Sequence, residues 1–128
     1  MQCLLDTHAS LWFVTGSPQL NATTKSLLEH ESTEAILSIA SVWELAIKHS
    51  LGRLNLSGEF GAVMSQLLRD SEVSLLPITE AHCQIVAELP FHHRDPFDRM
   101  IAAQALADRL PLVSADKTHS QYGVERLW

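Results

Sequence analysis

Basic residues are scarce: nine Lys and Arg stand against fifteen Asp and Glu, for a formal net charge of −6. A surface of that sign lacks the cations that neutralise phosphates, so taken alone it argues against a nucleic-acid partner. Long apolar runs are missing too, and none reaches the ~18 residues of a membrane span. The chain leads from Met1 straight into an apolar run ending at Asp6. It shows no basic n-region and no cleavage site of a secretory leader. Five Gly, five Pro and no low-complexity tract leave little room for linkers or disorder. Only two cysteines occur, Cys3 and Cys83, in apolar contexts and without metal-type spacing. Both read as buried thiols in a reducing, cytoplasmic setting.

What is present is apolar residues, 46% of 128, enough for a single domain over residues 1–128 with its own core. Apolar runs at 2–5, 34–39, 73–78 and 112–115 read as buried strands, with a last short strand in 122–128. Pro77 inside the third demotes it toward a sheet edge. Helical periodicity falls between them: a short helix around Leu11–Phe13 after a turn at 6–10, then 21–31, 40–50, 58–70, 79–89 and 96–109. Asn21, Ser38 or Ser41, Thr79 and Asp95 stand where caps belong, Gly16-Ser17-Pro18 breaks the first helix, and Gly52 ends the 40–50 helix. Strands alternating with helices predict an α/β/α sandwich, three layers around a mostly parallel sheet of four or five strands.

The stretch His92-His93-Arg94-Asp95-Pro96-Phe97-Asp98-Arg99-Met100-Ile101 carries the sharpest chemistry. Asp95 suits an N-cap and Pro96 the first helical position. Asp98 then sits in the first turn, beside apolar Phe97 and Met100. Strands ending at Asp6 and Asp116 place two more acids at carboxyl strand ends, where open α/β sheets bind ligands. Glu44, near the start of the helix after the second strand, belongs to the same edge. Four carboxylates brought together repel one another unless protonated or metal-bound. An oxygen-only donor set suits Mg²⁺ or Mn²⁺, ions that activate water in phosphodiester hydrolysis. Gathering four acids into one metal site also leaves only about −2 for the rest of the chain, which removes much of the charge argument against nucleic acid.

Each acid also has an ordinary role open to it: a turn residue at Asp6, a solvated helix residue at Glu44, a helix-terminal charge at Asp98, a strand-end turn at Asp116. For Asp95 the cap is the leading role and metal ligation the second. Lys48, Arg94 and Arg99 are candidate phosphate contacts, with ion pairing to the acids as the competing role. Adjacent His92 and His93 point apart in extended chain, and no third His or Cys is spaced to complete a metal site, so they read as substrate or surface contacts. His8 reads as a packed histidine, and Trp12, Trp43 and Trp128 as core or interface residues.

The chain resembles PIN-domain proteins of the VapC-like toxin ribonuclease kind, found in bacterial toxin–antitoxin pairs. The matching pieces are Leu4-Leu5-Asp6-Thr7-His8, Ser38-Ile39-Ala40-Ser41-Val42-Trp43-Glu44 with Lys48 and Gly52, His93 to Arg99, Ile101 to Ala105, and Leu112 to Asp116. They run in order through almost the whole chain. The resemblance implies a Mg²⁺- or Mn²⁺-dependent endoribonuclease whose acidic quartet is Asp6, Glu44, Asp98 and Asp116, with Asp95 a further acid of the subgroup. Thr7 and Ser38 match small hydroxyl positions near the acids and join the substrate-binding candidates. A homodimer and a cognate antitoxin partner are implied as well. Two other functions remain in view: a non-catalytic interaction module, and an aspartate phosphotransfer domain. The second fits poorly, since Asp6 has no acid at the +2 position.

Overall fold

Strand β1 (Gln2–Leu5) lies at the centre of a five-stranded sheet in the computed structural model, which describes residues 1–128. The others are β2 (Glu34–Ser38), β3 (Ser74–Leu76), β4 (Leu112–Val113) and β5 (Arg126–Leu127), in the order β3-β2-β1-β4-β5. Every pairing is parallel; Leu4 faces Ile36 on one side and Leu112 on the other. Parallel neighbours need crossovers, and helices supply them. Helices α1 (Thr7–Thr15) and α2 (Ala22–Glu29) join β1 to β2, and α3 (Ile39–Ser50) and α4 (Phe60–Asp70) join β2 to β3. Next, α5 (Glu80–Glu88) and α6 (Pro96–Ala107) join β3 to β4, and a 3₁₀ helix (Lys117–Tyr122) joins β4 to β5.

Alternation along the strands divides the core. Cys3, Leu5, Ala35 and Val113 pack on one face with Ala9, Leu20 and Leu28 from the α1–α2 side. Leu4, Ile36 and Leu112 pack on the other against Ile101 and Ala105 of α6. A third cluster joins Leu37 to Leu45 of α3 and to Met64 and Leu68 of α4. Burial on both faces is why the strands read as continuous apolar runs. The chain winds outward from β1 through β2 to β3, then returns to the opposite side at β4. The crevice at the carboxyl ends of β1 and β4 is therefore the topological switch point, the ordinary ligand site of such sheets.

The sandwich, the five strands and the edge position of β3 agree with the sequence expectation, and no helix is long and apolar enough to cross a membrane. Several details differ. The turn expected at 6–10 is already helix from Thr7, because the Asp6 carboxylate caps it at the Ala9 N–H. Strand β4 stops at Val113, and Asp116 caps a 3₁₀ helix that the sequence does not predict and that includes Tyr122, the expected start of the last strand. Cys3 is buried but Cys83 lies on the exposed side of α5. His8 is exposed and stacks on Trp12 at 5.8 Å rather than packing inside.

Candidate functional site

Caps and strand ends build the site. Asp6 follows β1 and is 6% exposed; one oxygen accepts from the Ala9 N–H and the other from the Ser114 hydroxyl just past β4. Burial pushes its carboxyl upward, against the pull of those two hydrogen bonds, and the charge of Asp116 adds to the rise. Ser38 ends β2 and caps α3 at the Ala40 N–H. One turn on, α3 presents Glu44, whose carboxylate accepts the Thr7 hydroxyl proton at 2.7 Å and pairs with Lys48 at 3.1 Å. Having one proton, Thr7 takes its 3.0 Å hydrogen bond with Ser41 as acceptor. Trp43 and Phe97 meet edge to face at 5.0 Å, which locks α3 against α6 and so fixes Glu44 relative to Asp98, their respective neighbours.

Asp98 is the most perturbed acid. Partial burial and the charge of Asp95, then those of Glu44 and Asp6, push it up to about 6 against relief from His93. Asp6, Glu44, Asp95 and Asp98 thus share one electrostatic neighbourhood, and Lys48 is the one permanent cation paired with them. Asp95 does cap α6, at the Phe97 N–H (2.8 Å) and the Asp98 N–H (3.4 Å). Its two roles separate by substitution. Asp95→Ser keeps a capping oxygen and removes the charge, so stability should hold within about 0.5 kcal/mol while the Asp98 carboxyl titrates lower by NMR. An unchanged Asp98 titration would refute the coupling.

Asp116 stands somewhat apart. Ser114 links it to Asp6, donating its hydroxyl to Asp6 and accepting the Asp116 N–H, while the Asp116 carboxylate oxygens bond the Thr118 N–H (2.9 Å) and His93 Nε2 (2.7 Å). What burial it has works against the charge, yet the hydrogen bonds from His93 and Thr118 hold the carboxyl down at about 2. His93 is oriented by Tyr122: the phenol oxygen accepts the His93 backbone N–H at 2.9 Å and lies 2.8 Å from Nδ1. The Asp116 carboxylate is ionised and can only accept, so the imidazole proton sits on Nε2 and Nδ1 accepts the phenol proton. Behind them His119 is fully buried, and burial together with His93 drives it down to about 4, so the ring is neutral.

Some candidates face elsewhere. Ser38 is fully buried and spent on its cap, and buried Thr7 holds Glu44, so neither hydroxyl reaches a substrate. Arg99 is 6% exposed and donates to the carbonyls of Val86, Leu89 and Pro90, with Phe91 over its guanidinium at 3.8 Å. It ties the end of α5 to α6 and is not available to a phosphate. Lys48 is half-buried on Glu44, while Arg94 is exposed and forms no ion pair. His93 is an interior contact, not a surface one. Ser114, His119 and Tyr122 were not singled out by sequence. The i, i+3 spacing of Asp116 and His119 is the signal that a helix there would have offered.

The model of the PIN domain family matches residues 3–125. A comparison with curated protein sequences finds no match. Among solved structures, VapBC2 from Rickettsia felis, bound to a DNA fragment from its promoter, superposes with a TM-score of 0.74 at 14% identity, covering 99% of this chain and 98% of that one. VapBC-1 from nontypeable Haemophilus influenzae gives 0.68 at 19% identity, covering 99% and 97%. FitAcB from Neisseria gonorrhoeae gives 0.67 at 23%, covering 100% and 97%. At these identities the likeness is one of fold.

Proposed function

This chain belongs to the PIN domain family, and from that premise we propose that it is a divalent-metal-dependent endoribonuclease, the toxin of a toxin–antitoxin pair. PIN domains are generally metal-dependent nucleases, a hydrolase class. The observation that carries the reading for this chain is Asp98, a carboxyl raised to about 6 partly by three neighbouring acids at the sheet's switch point. An acid cluster that raises its own members' pKa is costly to the fold and is relieved by a multivalent cation. The donor set fits: Asp6, Glu44 and Asp98, with Asp116 beside Asp6, offer oxygens only, as Mg²⁺ or Mn²⁺ requires. Asp95, occupied with its cap, is the weaker fifth ligand. Bound there, the ion would supply Lewis acidity to activate water and steady the departing oxygen of the phosphodiester.

The chain's own residues do the rest. Thr7 and Lys48 hold the Glu44 carboxylate in place, and Ser114 and the Ala9 N–H do so for Asp6. Pinned ligands need no reorganisation when the ion binds. Exposed Arg94, next to Asp95, is the remaining candidate for a substrate phosphate. The fold neighbours from Rickettsia, Haemophilus and Neisseria support an antitoxin as partner. Helix α3 and its C-cap also expose Ile39, Trp43, Ile47 and Leu51 in steps of four residues, an apolar stripe that favours protein–protein contact, including a second copy of the chain.

The test is cleavage of a structured RNA by purified protein with Mn²⁺ or Mg²⁺. Cleavage should stop with chelator and return with either ion, and Mn²⁺ should stabilise the fold by RT ln(1 + [L]/Kd), about 2.7 kcal/mol at a hundredfold excess over Kd, read as a higher melting temperature. No cleavage and no thermal shift would leave a protein-interaction module and end the nuclease reading.

A further inference from the structure

Three elements bring a different kind of donor set together beside the carboxylate edge. His93 comes from the loop before α6, Asp116 from the cap of the 3₁₀ helix and His119 from within it. One ligand atom of each lies within 4.8 Å of the other two. Two of the three donors are imidazoles, which favour transition ions over Mg²⁺. His119 adds an independent sign: it is fully buried and neither ring nitrogen has a hydrogen-bond partner. Buried unpaired polar atoms are rare and costly. Its polar surroundings are those of the cluster, with Asp98 Oδ1 at 3.9 Å from Nε2 and the His93 ring centroid at 4.5 Å.

We propose that His93, Asp116 and His119 form a transition-metal site, taking Zn²⁺ or an ion of similar softness, distinct from the oxygen-only site of Asp6, Glu44 and Asp98. It does not depend on the nuclease reading. Donors of a tetrahedral zinc site stand about 3.3 Å apart, given Zn–N distances of ~2.0–2.1 Å. The cluster therefore has to contract, and exposed Asp116, the one member at the surface, gives up its hydrogen bond with His93 Nε2 as it does so. Ion binding at His93 Nε2 needs the lone pair that now carries the ring's single proton, so that proton shifts from Nε2 to Nδ1. There the Tyr122 oxygen, turning its own hydroxyl proton away, accepts it, the outer hydrogen bond typical of ligating histidines. The fourth position is open to water. Asp116 belongs to both donor sets, so an ion here draws that carboxylate away from Asp6.

Calorimetric titration of the untagged full chain with ZnCl₂ tests the site, with the visible spectrum of the Co²⁺ form as a coordination readout. Loss of an outer partner alone costs about 10–100-fold in affinity. His93→Gln and His119→Phe, which lose a ligand, should each weaken Zn²⁺ by more than about 100-fold, and Tyr122→Phe by about 10-fold. Asp6→Asn should bind Zn²⁺ as the parent does, and excess Mg²⁺ should not displace it. The Co²⁺ form should show four-coordinate bands that both histidine variants lose. If His119→Phe fails to fold, His93→Gln at a half-buried position carries the test. Parental affinity in the histidine variants, or equal loss in Asp6→Asn, overturns the proposal, the latter by placing the ion on the carboxylates.

Discussion

Asp98→Asn is expected to abolish RNA cleavage and, at the same time, to make the protein melt higher. The two effects have one origin. Folding moves the Asp98 carboxyl from about 3.8 to about 6, by partial burial and by the charges of Asp95, Glu44 and Asp6. Between those pH values the native state holds a proton that the unfolded chain has released. Stability therefore falls as pH rises through that window, and above it the full penalty is present. A shift of two units caps the penalty near ~3 kcal/mol, and solvent screening of this half-buried carboxylate reduces it to about 1 kcal/mol. Asn removes the charge and keeps the shape, so at pH 8 the melting temperature should rise by roughly 3–5 °C. The same substitution removes a metal ligand, and cleavage should drop by at least about 100-fold. Mn²⁺ should stabilise the parent and leave the variant nearly unmoved. Cleavage at the parental rate, or a lower melting temperature at pH 8, would contradict the role given to Asp98.

Arg99→Ala should do the reverse, lowering stability steeply and sparing the chemistry of whatever remains folded. The guanidinium satisfies three carbonyls at and beyond the end of α5 and lies under Phe91. Removing it strands those acceptors in a buried setting, at about 1–3 kcal/mol for each left without water. With partial rescue by solvent the net loss should be about 3 kcal/mol, on the order of 10 °C for a domain of this size. Arg99→Lys should recover little, because one ammonium cannot serve three divergent carbonyls as a planar fork does. Thermal melts beside cleavage measured well below the transition separate this from a phosphate contact. A stable Arg99→Ala with weakened RNA binding would restore the substrate role.

The contrast between these two residues shows what the sequence could carry. Both belong to one seven-residue stretch, and both are charged side chains in the first turn of α6. Asp98 was legible because a carboxylate among apolar neighbours, with acids at two strand ends, has few uses. Arg99 was not, since its direction depends on where α5 ends, a tertiary fact that no spacing in the chain encodes. The sheet and its crossovers were legible from alternating periodicity, since burial on both faces leaves a continuous apolar signature. The 3₁₀ helix was lost because six residues without an apolar stripe give periodicity nothing to register. With it went the placement of His119, which only a helical turn after Asp116 brings back toward His93 and Asp98.

The position of β1 has a consequence in time. This strand is made among the first residues of the chain, yet one of its two partners is β4, and Asp6 is bonded to Ser114, 108 residues later. The loop that must close is nearly the whole domain, so the central pairing forms late. During synthesis at ~5–20 residues per second, β1 stays without β4 for several seconds at least. On the nuclease reading proposed above, a site that needs both distant segments has no activity until the second has been made and has paired with the first.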